Sequence, residues 1–196
     1  MDKHTNRRRF LSLCDEFIHR DGLDKLLEWL EKSDFFSAPA STKYHGAYDG
    51  GLCQHSLNVY DCMMDITKNS SLGKKYPVND ESATIVSLFH DMCKVNFYKP
   101  DTRNVKVNGV WTVVPTYSID EKFVYGGHGS KSVFIIERFM KLLPDEAIAI
   151  NCHMGSWDGD KYVSAAYQNW PLAWFVHVAD EAASFLVESE ETTEDG

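Results

Sequence analysis

Histidine and aspartate stand side by side at His90-Asp91, inside the apolar run Ser87-Leu-Phe-His-Asp-Met-Cys-Lys94. An imidazole and a carboxylate at one turn can clamp a single metal ion. Other candidate ligands occupy separate stretches: His55 in Gly50-Gly-Leu-Cys-Gln-His-Ser-Leu, His128 in Gly127-His-Gly, His153 in Asn151-Cys-His-Met-Gly, and Asp180 in Phe175-Val-His-Val-Ala-Asp. Brought together, these four histidines and two aspartates would hold one or two ions. Imidazole and carboxylate without thiolate suit Mn, Fe, Co, Ni or Zn better than Ca or Mg, which take all-oxygen shells. A metal held with one position open activates water. A single imidazole in an apolar helix is ordinarily a hydrogen-bonded packing residue. It is the ordered set that indicates a divalent transition-metal centre.

The bulk composition sets the frame for such a centre. The 196 residues, 43% hydrophobic and 25% charged, fit one globular domain with a core of its own. No apolar stretch is long enough to cross a bilayer, and Met1-Asp-Lys-His-Thr-Asn-Arg-Arg-Arg9 leads into an amphipathic segment and not a signal-peptide core, so a cytoplasmic protein without a membrane partner is expected. Five cysteines without a CxxC pair suggest neither a disulfide framework nor a thiolate zinc knot. A net charge of −9 opposes binding to long duplex nucleic acid but leaves room for a small phosphorylated substrate. Arg7-Arg-Arg9, the one basic cluster, reads as the solvated side of the first helix.

The elements that must position the ligands are mostly helical. Phe10, Leu11, Leu13, Cys14, Phe17 and Ile18 recur at helical spacing, as do Leu23, Leu26, Leu27 and Leu30 after the break at Asp21-Gly22. Tyr44-His-Gly-Ala-Tyr-Asp-Gly-Gly51 is a glycine-bearing loop feeding a helix over about 52–67, with His55 in its first turns. Asp80-Glu-Ser-Ala starts a helix running up to His90-Asp91. Val105-Lys-Val-Asn-Gly-Val-Trp-Thr-Val-Val114, with β-branched residues flanking Asn108-Gly109, is a hairpin signal and a possible flap near the site. Helices follow from Gly129, from Pro144 with His153 toward its far end, and from Pro171 through Leu186. The expected organisation is amino-terminal helices over 1–43, a core over 44–187 and an acidic disordered tail over 188–196.

The ordered series His55, His90-Asp91, His128, His153 and Asp180 resembles the HD superfamily of metal-dependent phosphohydrolases, over a span from about Tyr44 to Ser184. His45-Gly-Ala-Tyr-Asp-Gly-Gly-Leu-Cys-Gln-His55 is similar to the opening string of the HD module in YhaM-type 3′-to-5′ exoribonucleases. The resemblance implies a mostly α, single HD-type helical domain with a small β-hairpin insertion. It also implies a first metal on His55, His90, Asp91 and Asp180, with Asp91 bridging to a second on His128 and His153. Lys94, one α-turn beyond His90, resembles the lysine of the family's HDxxK string and is the candidate phosphate contact, with Asp91 the second catalytic residue. Lys131, one turn after His128, and His45 are candidates for substrate binding; either lysine taken alone reads as a solvated surface charge, and it is the neighbouring ligands that shift the balance.

Several residues carry weaker signals. His177 lies one turn before Asp180 and reads either as a neighbour supporting that ligand or as a packed core histidine. Asp158 and Asp160 read as pocket-rim or turn residues, and Tyr44, Tyr48, Trp111, Tyr117, Tyr125 and Trp157 as possible stacking surfaces for bases. The stretch after His153 lacks the Gly-Tyr-Pro element of HD-type cyclic-dinucleotide phosphodiesterases, and within these 196 residues no OB-like domain is expected. The expected activity is hydrolysis of a phosphoester in a nucleotide, cyclic nucleotide or short oligonucleotide. The alternatives are a 3′-to-5′ nuclease acting on RNA or DNA ends and a non-catalytic metal-bound sensor or interaction module.

Overall fold

The computed structural model describes residues 2–158 and 161–191, and only the backbone of Trp157, Asp158, Glu190 and Glu191. Helix α1 (Lys3–Phe17) starts at Asp2, whose carboxylate accepts from the backbone N–H groups of His4 and Thr5. It is followed by α2 (Leu23–Lys32), then by a loop to α3 (Gly51–Met64), which runs on as a π turn over Asp65–Asn69. The short α4 (Ser71–Lys75) precedes α5 (Asp80–Phe89), whose first turn is capped by the Asn79 side chain accepting from Ser82 N. A 3₁₀ turn over Met92–Lys94 leads into strands β1 (Tyr98–Val107) and β2 (Val110–Ile119). Then come α6 (His128–Glu137), α7 (Pro144–Cys152), a 3₁₀ turn over Gly155–Asp158, and α8 (Val163–Asn169). The chain closes with α9 (Pro171–Ala182), a π turn over Ala183–Val187 and α10 (Glu188–Glu191).

The architecture is thus mostly helical with one small two-stranded antiparallel sheet. Helix α3 lies at its centre, against α1, α5 and α9, and nearly every residue of it is buried. Leu52, Leu57, Ile85, Leu88, Phe89 and Phe175 are almost wholly removed from solvent, each burial contributing about 1.5–3 kcal/mol. The Phe10 ring lies 4.9 Å from Phe35 and 5.8 Å from Phe89, which ties α1 to the end of α5, next to the His-Asp pair. No described helix is long and apolar enough to cross a membrane.

The hairpin turns at Asn108 and Gly109, both at positive φ (49° and 86°), as a two-residue turn of right-handed strands requires. Its register pairs Tyr98 with Ile119 at the base and Val107 with Val110 at the tip. The base is tied down by Thr116 Oγ1 donating to Thr42 O at 2.9 Å and by Tyr98 OH donating to Ala40 O. Farther out, Trp111 is 70% exposed, and Val110 and Val113 are exposed as well. The hairpin therefore projects at its tip, while its base lies near the site, where the Phe97 ring is 6.3 Å from that of His128.

One correction concerns the acidic run at the end of the chain. Glu188–Glu191 are helical, and Glu188 is buried rather than solvated. Residues 192–196 lie outside the described residues, as do Asp160 and the side chains of Trp157 and Asp158, for which roles were expected. Of the basic cluster, Arg7 pairs with Glu31 and Arg9 with Asp61, in keeping with a solvated helix face. All five cysteines are free.

Candidate metal centre

Two close backbone approaches set the ligand-bearing helices in place. A Cβ on Gly51, the first residue of α3, would sit 1.9 Å from Gly46 O, so only glycine lets the 44–50 loop fold back onto the start of the helix that carries His55. A Cβ on Gly129 would meet Asn151 O at 2.2 Å, and its absence lets α6, which begins at His128, close on the end of α7 beside His153. The ligands then come from helix ends: His90 caps α5, His153 caps α7, and Asp91 opens the 3₁₀ turn. His55 and Asp180 are the exceptions, lying within α3 and α9.

The distances show convergence. His55 Nε2 lies 3.1 Å from Asp180 Oδ1, 3.6 Å from Asp91 Oδ2 and 3.2 Å from His90 Nε2. His90 Nε2 is 3.4 Å from Asp91 Oδ2, and His153 Nε2 faces Asp91 Oδ1 at 3.6 Å, beyond hydrogen-bond reach. Donor atoms of His55, His90 and Asp91 all lie within 4.8 Å of one another, as do those of His90, His153 and Asp180. The three histidines and Asp91 are essentially fully buried, and Asp180 retains slight exposure.

The tautomers follow from the partners on the other side of each ring. His90 Nδ1 donates to Ser87 O at 2.9 Å, His153 Nδ1 to Ile150 O at 2.7 Å, and His55 Nδ1 to Glu188 Oε1 at 2.8 Å. Carbonyls and carboxylates are acceptors only, so Nδ1 holds the hydrogen, and Nε2 of each neutral ring is a bare lone pair aimed inward. Three such lone pairs beside two carboxylates form a nest that requires positive charge. In the protein without metal a proton supplies part of it. Burial opposes charging of His55, but Glu188 and Asp180 outweigh burial and push its pKa up to about 10. Burial likewise opposes ionisation of Asp91, yet Lys94 and His90 hold its carboxyl well below the usual range. His153 Nε2 is buried with no hydrogen-bond partner. The donor set, its orientation and this orphaned nitrogen fit a divalent transition metal.

The family model for the HD domain matches residues 52–185. The chain belongs to the HD-domain family. Neither the curated proteins nor the solved structures provide a match. The HD domain gives its name to a superfamily of metal-dependent phosphohydrolases, and the His-Asp nest lies within the matched span.

Other expected site residues fall around this nest in different ways. Lys94 was expected beside His90, one α-turn on. The helix ends at Phe89 and the 3₁₀ turn redirects the chain, so Lys94 Nζ instead meets Asp91 Oδ2 at 2.7 Å. His128 is half-buried, with Nδ1 3.4 Å from Cys93 Sγ, and stands outside the two converged groups. Lys131 is buried, paired with Glu121 at 2.7 Å, with its ammonium 4.8 Å from the centre of the Phe97 ring. Cys93, His128 and Lys131 share a cleft of about 260 Å³. A larger, apolar cavity of about 890 Å³, lined from α6, α7 and α8, includes none of the ligands. The His45 ring lies 4.9 Å from that of His55. His177 Nδ1 donates to His153 O at 2.7 Å, supporting the backbone of a candidate ligand.

Glu188 is the site residue that sequence reasoning missed, because it sits in an acidic run beyond the HD-domain match. One signal did point inward. Gln54 and Asn58 form a polar i, i+4 pair on the otherwise apolar, buried α3, where an unsatisfied amide would be costly. Asn58 Nδ2 donates to Glu188 Oε1 at 3.1 Å.

Proposed function

We propose that this HD-domain protein hydrolyses a phosphoester of a nucleotide, cyclic nucleotide or short oligonucleotide. The observation that supports it above the others is the convergence of Nε2 of His55, His90 and His153 on the carboxylates of Asp91 and Asp180. His55, His90, Asp91 and Asp180 would hold a first metal, and Asp91 with His153 and His128 a second. Mn, Fe, Co, Ni and Zn are the ions this donor set suits. When bound, such an ion lowers the pKa of water and polarises a phosphoryl oxygen.

The chain's own residues do the rest. Lys94 keeps its charge: burial opposes it, but Asp91 outweighs burial and raises its pKa. It thus places a fixed cation beside the nest, where negative charge on a transferring phosphoryl group would spread. Lys131 supplies a second cation in the cleft next to His128, with the Phe97 ring beneath it. Hydrolysis joins a water oxygen to phosphorus, while the leaving oxygen departs with its electron pair and takes up a proton. Exposed Tyr44, Tyr48 and Tyr125 offer surfaces on which a base could stack.

The similarity of the His45–His55 string to YhaM-type exoribonucleases supports a second reading, a nuclease acting on 3′ ends. The deciding experiment is metal analysis of the purified protein, followed by assays on nucleotides, cyclic nucleotides and short oligonucleotides with Mn, Co, Ni, Zn and Mg. Hydrolysis of mononucleotides that is insensitive to salt supports the first reading. Activity confined to oligonucleotides and steeply lost with added salt supports the second. Metal uptake with no turnover on any substrate would leave a metal-bound sensor.

A further inference from the structure

We propose that Glu188 is a positioning residue for His55, held in place by a buried chain of amides that begins on the first helix. This rests on the reading of His55 as a metal ligand, and it assigns a function to a residue three positions beyond the end of the HD-domain match.

The three converging imidazoles are not oriented in the same way. His90 and His153 rest Nδ1 on carbonyls of their own helices, Ser87 O and Ile150 O. The nearby carbonyl of Leu52 is taken by Ser56 Oγ, and His55 reaches 133 residues along the chain to a carboxylate. A carboxylate partner fixes the tautomer as a carbonyl does, and it also makes the opposite nitrogen a stronger donor to a metal.

Glu188 is itself 3% exposed, and a buried carboxylate must be compensated. Besides His55 it has Asn58 Nδ2 at 3.1 Å. Behind Asn58, Gln54 Nε2 donates to Asn58 Oδ1 at 2.7 Å, and Asn6 Nδ2 of α1 donates to Gln54 Oε1 at 2.7 Å. Asn6, Gln54 and Asn58 are all buried. Gln54 and Asn58 each accept from the amide before and donate onward, so the donors run in one direction from α1 through α3 to Glu188 Oε1, into which His55 Nδ1 donates from the other side.

The backbone is bent to make this contact. On a continuous α-helix, eight residues would leave Glu188 about 80° around the axis from Asp180. The π turn at Ala183–Val187 lies between them, and its wider turn brings both carboxylates to His55, one on each ring nitrogen.

The test compares wild type, Glu188→Gln and Asn58→Ala as full-length protein stripped of metal. Zn(II) and Co(II) affinities are measured by competition with a chromophoric chelator, and the visible spectrum of the Co(II) form is recorded. Glu188→Gln keeps size and an acceptor oxygen but loses the charge, and should weaken metal binding by about 10- to 100-fold and shift the Co(II) bands. Asn58→Ala leaves the carboxylate unclamped and should weaken binding in the same direction by a smaller factor. It stands in should the first variant not fold. Unchanged affinity and spectrum in both variants, against a wild type that binds metal, overturns the inference alone. A wild type that binds no transition metal removes both the inference and the functional reading beneath it.

Discussion

Lys94 Nζ lies 2.7 Å from Asp91 Oδ2, three residues back across a 3₁₀ turn and not four back along an α-helix. The tighter turn carries the lysine past His90 and sets it on the carboxylate at the middle of the nest. The ammonium therefore adds charge beside the proposed ligands without being one of them. Replacing Lys94 with alanine should leave metal content near the wild-type level, because His55, His90, Asp91 and Asp180 remain. Turnover should fall by about 10²- to 10³-fold, the usual cost of removing one preorganised donor. Elemental analysis and kcat on the best substrate of the panel would check both parts. A variant that loses its metal would show that the lysine serves the carboxylate and not the substrate.

Asp91 lies within 3.6 Å of three candidate ligand imidazoles, His55, His90 and His153, and it also meets Lys94. Asp91→Ala should therefore abolish metal retention and hydrolysis together, whereas loss of any one of the three histidines leaves more of the donor set. The measurement is metal per chain after dialysis, alongside activity. Undiminished hydrolysis would reject the central place given to this carboxylate.

A proton balance follows from the same geometry. Without metal, His55 has its pKa pushed up to about 10 and is protonated at pH 7.5. A ligand nitrogen must be bare, so metal uptake at that pH should release about one proton from His55, and affinity should weaken as pH falls. Calorimetry in buffers of different ionisation enthalpy would count the protons. Stability carries the matching sign. A raised histidine pKa contributes stability that is full below the unfolded value of 6.5 and is lost as pH rises toward 10. His45 acts the other way. Burial and the charge on His55 lower its pKa to about 4, so its contribution is present above 6.5 and lost as pH falls toward 4. From these two groups, the metal-free protein should be most stable near pH 6.5, declining on each side by up to about 1.4 kcal/mol per pH unit. Zinc should flatten the alkaline side, which denaturant melts with and without metal would show.

What could be read from the sequence was what depends on local pattern. Apolar spacing marked the helices, Asn108-Gly109 marked the hairpin, and the ligand types marked the chemistry. Where Lys94 would point was not legible, because three residues of 3₁₀ turn look the same as α-helix in sequence. Glu188 was hidden for a different reason: a buried glutamate cannot be told from its solvated neighbours in an acidic run without the π turn that directs it inward. The hairpin shows the limit on placement. Its register is local, but whether it packs on the body depends on contacts that no periodicity encodes.

Away from the metal centre, the amino-terminal segment is locked to the core by a buried charge. Glu146 is fully buried and accepts from Arg20 Nη1 and Nη2 at 3.0 and 2.7 Å, as well as from Ser82 Oγ and Leu143 N. Arg20 also pairs with Glu81 at 3.2 Å. Arg20→Ala would leave the buried carboxylate with two neutral donors and no counter-charge, a loss that costs about 3 kcal/mol. For a chain of this length that corresponds to a drop in melting temperature of about 6–12 °C. Arg7→Ala removes an exposed pair with Glu31 and should cost less than about 1 kcal/mol. Thermal melts of the two variants, with metal affinity measured on each as a control, separate the cases. Arg20→Ala should lose stability while its metal affinity stays at the wild-type value, and a melting temperature no lower than that of Arg7→Ala would show that Glu146 does not need its arginine.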